Sequence, residues 1–398
     1  MVKINYYILV CIIFLLIGCG DKDSDQSSEI KDENRDTIKK LDDNSDDSKL
    51  SDKFTLKDFY SENTNIDKKV YEIFNSLNEE EKIAQMIIQA AGKYGKSEQE
   101  IINLLKSKRI GGVLLLKGSK EEFTRYVKKF SSDSLKSNSL SLIFSADAEP
   151  SLINKKIAGV KKFEPTNGIK NVEECKVVAN EISDVLKSIG INQNYAPVCD
   201  FPYNKEIIGD RSFGKDEVER IQLVTEFMKV TQNNNIIATA KHFPGHGNVK
   251  GDSHKEIVYI RGELKELNVF EEIINAGVIS VMVGHIAIEN NENYNTDGLP
   301  STLSRKIVTD LLKKELRFKG LVVTDAMNME AVSKFQTPSL KAIEAGCDMI
   351  LMPSDEYKLI LSVKEKMDND PEFREQVYES VRKVIRVKVC LGIFRNES

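Results

Sequence analysis

The chain has 398 residues, of which 30% are charged, and a formal net charge of −5. Most of the negative charge lies in residues 20–53, so the remainder is nearly neutral and gives no electrostatic reason to expect nucleic-acid binding. The remaining body of roughly 340 residues is long enough for one large α/β domain and does not require two. We expect that body to be a monomer.

The first 19 residues predict a bacterial lipoprotein signal peptide. Lys3 precedes an apolar run at 6–17 that is too short to span a bilayer comfortably, as in a signal sequence. The sequence LIGC at 16–19 resembles a lipobox, in which the cysteine is diacylated and becomes the mature N-terminus. Two interpretations stay open. A lipid on Cys19 would anchor an exported protein to a membrane of the cell envelope without spanning it, whereas an ordinary signal peptide would carry this cysteine by chance.

Residues 20–53 are predicted to form a disordered acidic tether. They are rich in Asp and Glu and contain no aromatic residue, so they cannot bury enough apolar surface to offset the entropy lost on ordering. A coil of this length reaches roughly 30 Å. The folded domain is therefore expected at 54–398. Its four scattered cysteines favour buried thiols over disulfides.

Residues 54–398 alternate short apolar runs with amphipathic segments of helical period. Eight runs predict strands, at 83–89, 112–116, 142–147, 191–198, 236–243, 280–285, 321–325 and 348–352. Helices are predicted at 172–189, 215–233, 306–316 and 372–389. Continuous apolar strands between helices indicate a parallel sheet, and eight of them favour an α/β fold, the (β/α)8 TIM-like barrel. A doubly wound open sheet is the alternative, but the chain has no Gly-rich dinucleotide fingerprint and no phosphate loop.

Polar side chains stand at the C-terminal ends of the predicted strands, where such a barrel carries its active site. They are Asp147, Asn194, Asp200, Lys241, His242, His285 and Asp325. Strand ends expose polar residues in any fold, and that plain explanation is equally good for Asn194 and His285. Asp325 is different because it ends an apolar strand at the same mouth as a loop rich in Lys, His and Asp. A carboxylate there suits a nucleophile or a group that stabilises charge.

That loop contains three of the four histidines, within KHFPGHG at 241–247 and DSH at 252–254. One interpretation is a turn whose histidines satisfy backbone groups. A second is a metal site, but Pro244 and Gly245 prevent the helix on which His242 and His246 would be spaced as ligands. The third is acid–base chemistry, in which Asp252 orients His254 and raises its basicity. We favour the third and expect neither a metal nor a cofactor.

The loop resembles the signature of bacterial β-N-acetylhexosaminidases of glycoside hydrolase family 3. Other segments are similar to that family in the same order, namely IGINQNYAPV at 189–198, DRSFG at 210–214, LPSTLS at 299–304, GLVVTD at 320–325 and AGCD at 345–348. The resemblance covers about 66–394. KHFPGHG is its specific part, and the other segments support it by their order.

The resemblance implies a single-domain barrel that acts as a retaining exo-hydrolase. Its substrate would be terminal β-linked N-acetylglucosamine on cell-wall fragments or related oligosaccharides. On the matching positions, Asp325 is implied as the nucleophile, and His254, paired with Asp252, as the acid/base. Retaining glycosidases usually use two carboxylates. Because the chain ends with the barrel, we expect the acid to come from a barrel loop, and the Asp252–His254 pair is the candidate.

The same resemblance implies that Arg211, Lys241 and His242 bind sugar hydroxyls and that Asp147 binds those on the non-reducing side. One segment departs from the family pattern, because DQEGGRV followed by a further arginine is replaced by DAEPSLINK at 147–155. Both glycines and both arginines are absent. Lys155 stands where the second arginine would be and is the candidate substrate-binding residue, although a point charge does not replace a bidentate fork. The exact sugar and linkage therefore stay open.

Two other functions remain possible from the sequence. A catalytically weakened lipoprotein that binds sugar or a partner is favoured by the loss of the two glycines. A β-glycoside phosphorylase on the same barrel is favoured by a neutral histidine acid/base, which would not repel phosphate as a carboxylate does. Retention of Asp325, Asp252 and His254 favours the hydrolase.

Overall fold

The computed structural model describes residues 54–253 and 256–394. The predicted signal peptide, the tether, Cys19 and His254 lie outside the described residues. In chain order the strands are β1 (Ile87–Gly92), β2 (Gly112–Ser119), β3 (Ile143–Ala146), β4 (Ile157–Ala158), β5 (Gln193–Asn194), β6 (Ile237–Phe243), β7 (Val258–Arg261), β8 (Ser280–Val283), β9 (Ile286–Glu289), β10 (Leu321–Thr324) and β11 (Ile350–Leu351).

Nine of these strands form one parallel sheet, in which eight follow the order β10-β8-β6-β5-β3-β2-β1-β11 and β4 pairs with β2 off this path. Its two end strands meet. The Thr324 N–H donates to the Met349 carbonyl at 3.0 Å, and the Asp348 N–H donates to the Val322 carbonyl at 2.7 Å. Val323 and Met349 also pair across this seam. The sheet is thereby closed into a barrel, and the predicted (β/α)8 class is confirmed.

The outer layer consists of helices that bury one face on the barrel. The first long helix buries Ile66, Val70, Ile73 and Phe74, a spacing of one helical stripe. The helices are Thr64–Ser76, Glu79–Ala84, Glu98–Lys106, Lys120–Lys136, Ile153–Lys156, Val172–Ile189, Glu217–Asn233, Leu267–Asn275, the π-helix Lys306–Glu315, Glu330–Ser333, Pro338–Ala345, Glu356–Asn369 and Pro371–Cys390, with 3-10 turns at Leu56–Asp58, Thr166–Gly168, Gly209–Arg211 and Ser301–Leu303. Within 54–253 and 256–394, none of the helices is both long and apolar enough to cross a bilayer.

Two predicted strand boundaries are wrong for local reasons. The first strand begins at Ile87 and not at 83, because Asn78 and Glu81 form a capping box that starts the helix Glu79–Ala84 ahead of it. β5 is much shorter than the predicted 191–198. Pro197 has no N–H to continue the ladder, which resumes only as a single bridge between Val198 and Lys241.

A second, two-stranded parallel sheet pairs β7 with β9. Neither of its strands was predicted as a separate element from the sequence. β7 follows the loop that contains Asp252, and β9 follows His285, so this small sheet gives the C-terminal mouth of the barrel additional ordered structure next to that loop. The four cysteines of the domain are buried and free, as expected for structural thiols: Cys175, Cys199, Cys347 and Cys390.

Candidate active site

A cavity of about 360 Å³ opens at the C-terminal ends of the strands. Side chains from all eight strands of the barrel, or from the residues that follow them, line it, because all the strands point the same way. Its polar lining includes Asp147, Lys156, Arg211, Lys241, His242 and Asp325. Five of the predicted site residues therefore share one cavity.

An ion-pair network centred on Lys241 forms the wall of the cavity across from Asp325. The Lys241 ammonium lies 2.9 Å from Asp147 Oδ1 and 2.7 Å from Glu149 Oε1. Arg211 donates two parallel hydrogen bonds to Glu149, from Nε at 2.8 Å and from Nη2 at 2.7 Å. This fork is the bidentate geometry that fixes both partners. The network therefore holds Asp147 rigidly at the cavity wall.

Every group of the network is ionised. Burial opposes the charge of Asp147 and of Glu149, but the neighbouring cations overcome it. Lys241 and Lys156 hold the pKa of Asp147 well below its ordinary value. Arg211 and Lys241 lower the pKa of Glu149 to about 2. Burial would likewise lower the pKa of Lys241, but the two carboxylates raise it. Asp147 is thus a charged acceptor, and its partly exposed oxygens suit a sugar hydroxyl.

A second buried carboxylate, Asp200, sets the orientation of His242. It lies 2.6 Å from His242 Nδ1 and also accepts the backbone N–H of His246 at 2.7 Å. Although burial raises the pKa of Asp200, His242 and the hydrogen bonds keep it below its ordinary value. Because Asp200 is therefore an acceptor, Nδ1 of His242 carries the hydrogen. His242 lines the cavity with its ring orientation fixed by this bond.

The loop after β6 is fastened to the barrel at several points. Glu266 Oε1 accepts the N–H of Phe201 and, at 3.1 Å, that of Gly247. Any Cβ at Gly247 would overlap the Phe201 carbonyl, so only glycine permits this approach. His246 Nε2 lies 2.7 Å from the hydroxyl of Ser253, the residue after Asp252. Burial, with His242 nearby, lowers the pKa of His246 to about 4, which keeps it neutral at pH 7.

Asp325 follows β10 on the other side of the cavity. Its N–H donates to the Val283 carbonyl at 2.9 Å, and its carboxylate accepts the N–H of Ala326 at 2.8 Å. The fully buried His285 supports the same turn, because its Nε2 lies 3.0 Å from the Ala326 carbonyl and its Nδ1 lies 2.8 Å from the Thr302 hydroxyl. The backbone at this strand end is therefore held on both sides, and the Asp325 carboxylate accepts a hydrogen bond from the next residue.

The acid/base candidates are only partly described. Asp252 is half-buried in the loop fastened by His246 and Ser253, and its carbonyl accepts the N–H of Glu256 at 3.1 Å. His254 lies outside the described residues, so its partnership with Asp252 stays a prediction.

Comparison with known proteins identifies the family. The profile of the glycosyl hydrolase family 3 N-terminal domain matches residues 78–387. The chain belongs to glycosyl hydrolase family 3.

The proteins to which this chain is similar differ in length. The β-hexosaminidase of Haemophilus influenzae is 25% identical over 313 residues, 73% of this chain and 86% of its own length. β-Hexosaminidase A of Pseudoalteromonas piscicida is 34% identical over 194 residues, 44% of this chain and 32% of its own, so this chain spans only about a third of that longer relative. A family 3 β-N-acetylglucosaminidase structure from a Paenibacillus species superposes with a TM-score of 0.72 at 27% identity, covering 81% of this chain and 64% of that chain.

Two of the described residues implied by the family pattern, Asp252 and Lys155, do not line the cavity. Lys155 is exposed, whereas the adjacent Lys156 lines the cavity with its ammonium 3.6 Å from Asp147 Oδ2. The short helix Ile153–Lys156 turns successive side chains by about 100°. This rotation carries Lys155 outward and Lys156 inward. The structure therefore places Lys156, and not Lys155, at the cavity, and a sugar-binding role of either lysine stays a prediction.

Several residues of the family 3 site were missed by sequence analysis. A role for Glu149 could have been suspected, since it is the second carboxylate of the 147–155 segment. Its partners Arg211 and Lys241 are distant in sequence, however, so the pairing could not be predicted. Asp200 was noted at a strand end without a role. Asn194 orients the Asp147 segment, because its side chain pairs with both the N–H and the carbonyl of Ala148. Glu266 had no signal at all.

Glu266 gives a pH-dependent prediction for stability. Burial and the nearby Asp200 carboxylate raise the pKa of Glu266 well above its ordinary value of about 4.5, while the N–H groups of Phe201 and Gly247 and the Arg220 charge offset this only in part. The folded state therefore keeps a proton that the unfolded chain has lost, so this group costs increasing stability as pH rises above about 4.5. Glu266→Gln keeps an acceptor oxygen and cannot ionise. We expect its Tm advantage over the native protein to grow between about pH 5 and about pH 9.

The measurement is a thermal melt by circular dichroism across that range. Glu263→Gln is the matched control, because Glu263 is exposed on the same segment and should show no such trend. A Tm difference between Glu266→Gln and the native protein that is the same at every pH would contradict a protonated Glu266.

Proposed function

We propose that the protein is a retaining exo-β-N-acetylglucosaminidase that hydrolyses terminal β-linked N-acetylglucosamine. The observation that carries the proposal is the convergence of Asp325 with the Asp147–Lys241–Glu149–Arg211 network in one barrel-mouth cavity. A carboxylate faces a wall of fixed hydrogen-bonding groups, which is the arrangement a glycosidase needs to hold one sugar ring against its nucleophile. The names of two relatives support the proposal, since the Haemophilus protein is a β-hexosaminidase and the Paenibacillus protein is a β-N-acetylglucosaminidase.

In the proposed reaction an Asp325 oxygen bonds to the sugar C1 as the glycosidic C1–O bond breaks. The departing oxygen takes a proton from His254, so the leaving group departs as an alcohol. Water then attacks C1 from the face that the leaving group has left, opposite Asp325. It gives a proton to His254 as the bond between C1 and Asp325 breaks and the carboxylate is released. Two displacements at C1 return the sugar in its original β configuration. Asp147, His242 and the Lys241 and Arg211 cations hold the hydroxyls of the sugar through both steps.

A substrate panel tests this proposal. The nitrophenyl β-N-acetylglucosaminide should be hydrolysed, and its α-anomer and the nitrophenyl β-glucoside should be poor substrates. The reaction is run with and without inorganic phosphate. Free N-acetylglucosamine as the product in both conditions is the expected result. A sugar 1-phosphate in the phosphate reaction would mean a phosphorylase, and binding without turnover would mean a catalytically weakened sugar-binding protein.

Lys155 and Lys156 are a matched pair for the sugar-binding wall. Loss of a charged hydrogen-bond donor to a sugar costs about 1.5–3 kcal/mol, which is roughly a 10- to 100-fold loss in kcat/KM. We expect Lys156→Ala to show a loss of this size, mainly as a higher KM, and Lys155→Ala to show a much smaller one. Steady-state kinetics on the aryl glycoside measures both. A larger loss for Lys155→Ala would mean that Lys155, the residue implied by the family pattern, binds the sugar and that Lys156 does not.

We further propose that the protein is exported and anchored to a membrane of the bacterial cell envelope by acylation of Cys19, and that it acts on cell-wall fragments there, as in peptidoglycan recycling. The support is the LIGC sequence at 16–19 and the long acidic segment that follows it. Cys19→Ser should leave the signal uncleaved or the protein soluble. Detergent partitioning and mass spectrometry of the native N-terminus measure this, and an unmodified Cys19 in the native protein would refute the anchor.

A further inference from the structure

A second cavity, of about 240 Å³, lies at the C-terminal end of the barrel and takes no part in the proposed reaction. Its walls come from 333–340 and 354–362, which follow β10 and β11, the two strands that meet at the seam. We call it the seam pocket. It adjoins the candidate active site, because Met329 lines the active-site cavity and Ser333, four residues on, lines this one. β10 and β11 are the seventh and eighth barrel strands, and the loops after those strands bind phosphate in many barrels.

The helix Pro338–Ala345 starts in the seam pocket without a side-chain cap. Thr337 is its N-cap residue, and the Thr337 side chain makes no capping hydrogen bond. Pro338 has no N–H, and the Lys341 N–H donates the first helical bond, to the Thr337 carbonyl at 3.0 Å. The N–H of Ser339, the second helical residue, therefore has no acceptor within the helix. A helix start of this kind attracts negative charge.

The side chain of Ser339 is independent evidence for a ligand. Ser339 is only 7% exposed and lines the seam pocket, yet its hydroxyl has no hydrogen-bond partner within 54–253 and 256–394. Nearly all buried polar side chains are hydrogen-bonded, so an unpaired one in the wall of a pocket calls for an explanation. A ligand oxygen in the pocket would accept hydrogen bonds from the Ser339 hydroxyl and from the Ser339 N–H.

Lys358 supplies the positive charge of the seam pocket. It lies in the first turn of the helix Glu356–Asn369, and no carboxylate oxygen of the described residues is within 4 Å of its ammonium group. One carboxylate, that of Asp355, also lines the pocket. Asp355 is the N-cap of the same helix and accepts the Lys358 N–H at 2.9 Å. The carboxylate is therefore used by its own helix, whereas the ammonium group can pair with a ligand.

We propose that the seam pocket binds a phosphoryl group, as a phosphate monoester or as inorganic phosphate. Several donors converge on one space, which suits an anion with three or more acceptor oxygens. They are the N–H and hydroxyl of Ser339, the hydroxyls of Thr337 and Ser354, and the ammonium group of Lys358. The cavity is larger than a phosphate ion requires, and Phe335 gives it an apolar wall, so a monoester fits it better. The site is separate from the proposed hydrolysis and does not depend on it.

Calorimetric titration of the native protein tests the proposal. Inorganic phosphate and glucose 6-phosphate should both show saturable binding, the monoester at least as tightly, and glucose should show none. Because the cations of the candidate active site also attract anions, hydrogen exchange must locate the ligand. We expect exchange to slow at 333–341 and 354–362. Absence of saturable binding, equal binding of glucose, or protection confined to the active-site segments 147–156 and 241–247 would overturn the proposal.

Variants of the lining residues give effects of opposite sign. Lys358→Gln should weaken phosphate binding about tenfold because a charged donor is lost, and Ser339→Ala should weaken it as well. Asp355→Asn should tighten binding, since asparagine keeps the N-cap and removes a repelling charge. Lys364→Gln is the control on the same helix. Lys364 pairs with Asp368 at 2.9 Å, and its loss should leave binding unchanged.

Circular dichroism establishes that each variant is folded before it is titrated. Weaker phosphate binding by folded Asp355→Asn, or unchanged binding by both folded Lys358→Gln and folded Ser339→Ala, would overturn the assignment of the phosphoryl group to the seam pocket.

Discussion

Asp325→Asn should fold normally and lose at least about a thousandfold in kcat, because an amide cannot form the covalent bond to C1 on which the proposed reaction depends. The amide has nearly the shape of the carboxylate, and its oxygen still accepts the Ala326 N–H that Asp325 accepts at 2.8 Å. Structure and sugar binding should therefore survive while turnover does not. Steady-state kinetics and calorimetry on the same preparation measure the two separately.

Asp184→Asn is the matched control for this change. Asp184 lies on the outer helix Val172–Ile189, where it pairs with Lys187 at 2.9 Å, and it should leave kcat unchanged. If the Asn variant at 325 retained substantial turnover, and resequencing excluded residual native protein, Asp325 would not be the nucleophile.

His254→Ala should distinguish acid–base catalysis from a structural role of the loop. General acid–base help is typically worth about 10²–10⁴ in rate. It is needed most when the leaving group is a basic sugar oxygen, which must be protonated as it departs. We therefore expect a loss of this size on a natural disaccharide and a much smaller effect on formation of the glycosyl-enzyme from an activated aryl glycoside.

Hydrolysis of the glycosyl-enzyme, the second step of the proposed reaction, gives an independent test of the role of His254. Without a base for water, the covalent intermediate of His254→Ala should accumulate, and azide should rescue turnover because it attacks C1 without one. Asp252→Asn should show a milder form of both effects, since Asp252 tunes the imidazole and does not transfer the proton. An equal loss for good and poor leaving groups, with no azide rescue, would indicate that the loop histidine is structural.

The barrel and most of the cavity could be predicted from sequence because of a simple geometric rule. Parallel strands in a barrel all end at one face, so polar residues at strand ends must converge there even when they are far apart in the chain. Asp147, Lys241, His242 and Asp325 were placed together on this basis, and the structure brings all four to one cavity.

The contributions that sequence analysis missed depend on side-chain direction or on long-range pairing. Which of Lys155 and Lys156 faces the cavity is decided by a single helical turn, Ile153–Lys156, whose rotation about its axis cannot be read from the sequence. Glu266 lies just before the helix Leu267–Asn275 and returns to hold Phe201 and Gly247. The pairing of Glu149 with Arg211 likewise joins residues 62 positions apart, and no local pattern encodes it.

Covalent trapping is the most direct test of the central proposal that Asp325 attacks C1 in this cavity. The protein is incubated with a fluorinated N-acetylglucosamine analogue that has an activated leaving group, digested, and mapped by mass spectrometry. We expect one sugar per chain, attached to the peptide that contains Asp325. The Asp325→Asn protein should stay unlabelled, and the native protein should lose its label as activity returns. A label on a different carboxylate, or full hydrolysis of the N-acetylglucosaminide with no label at Asp325, would contradict it.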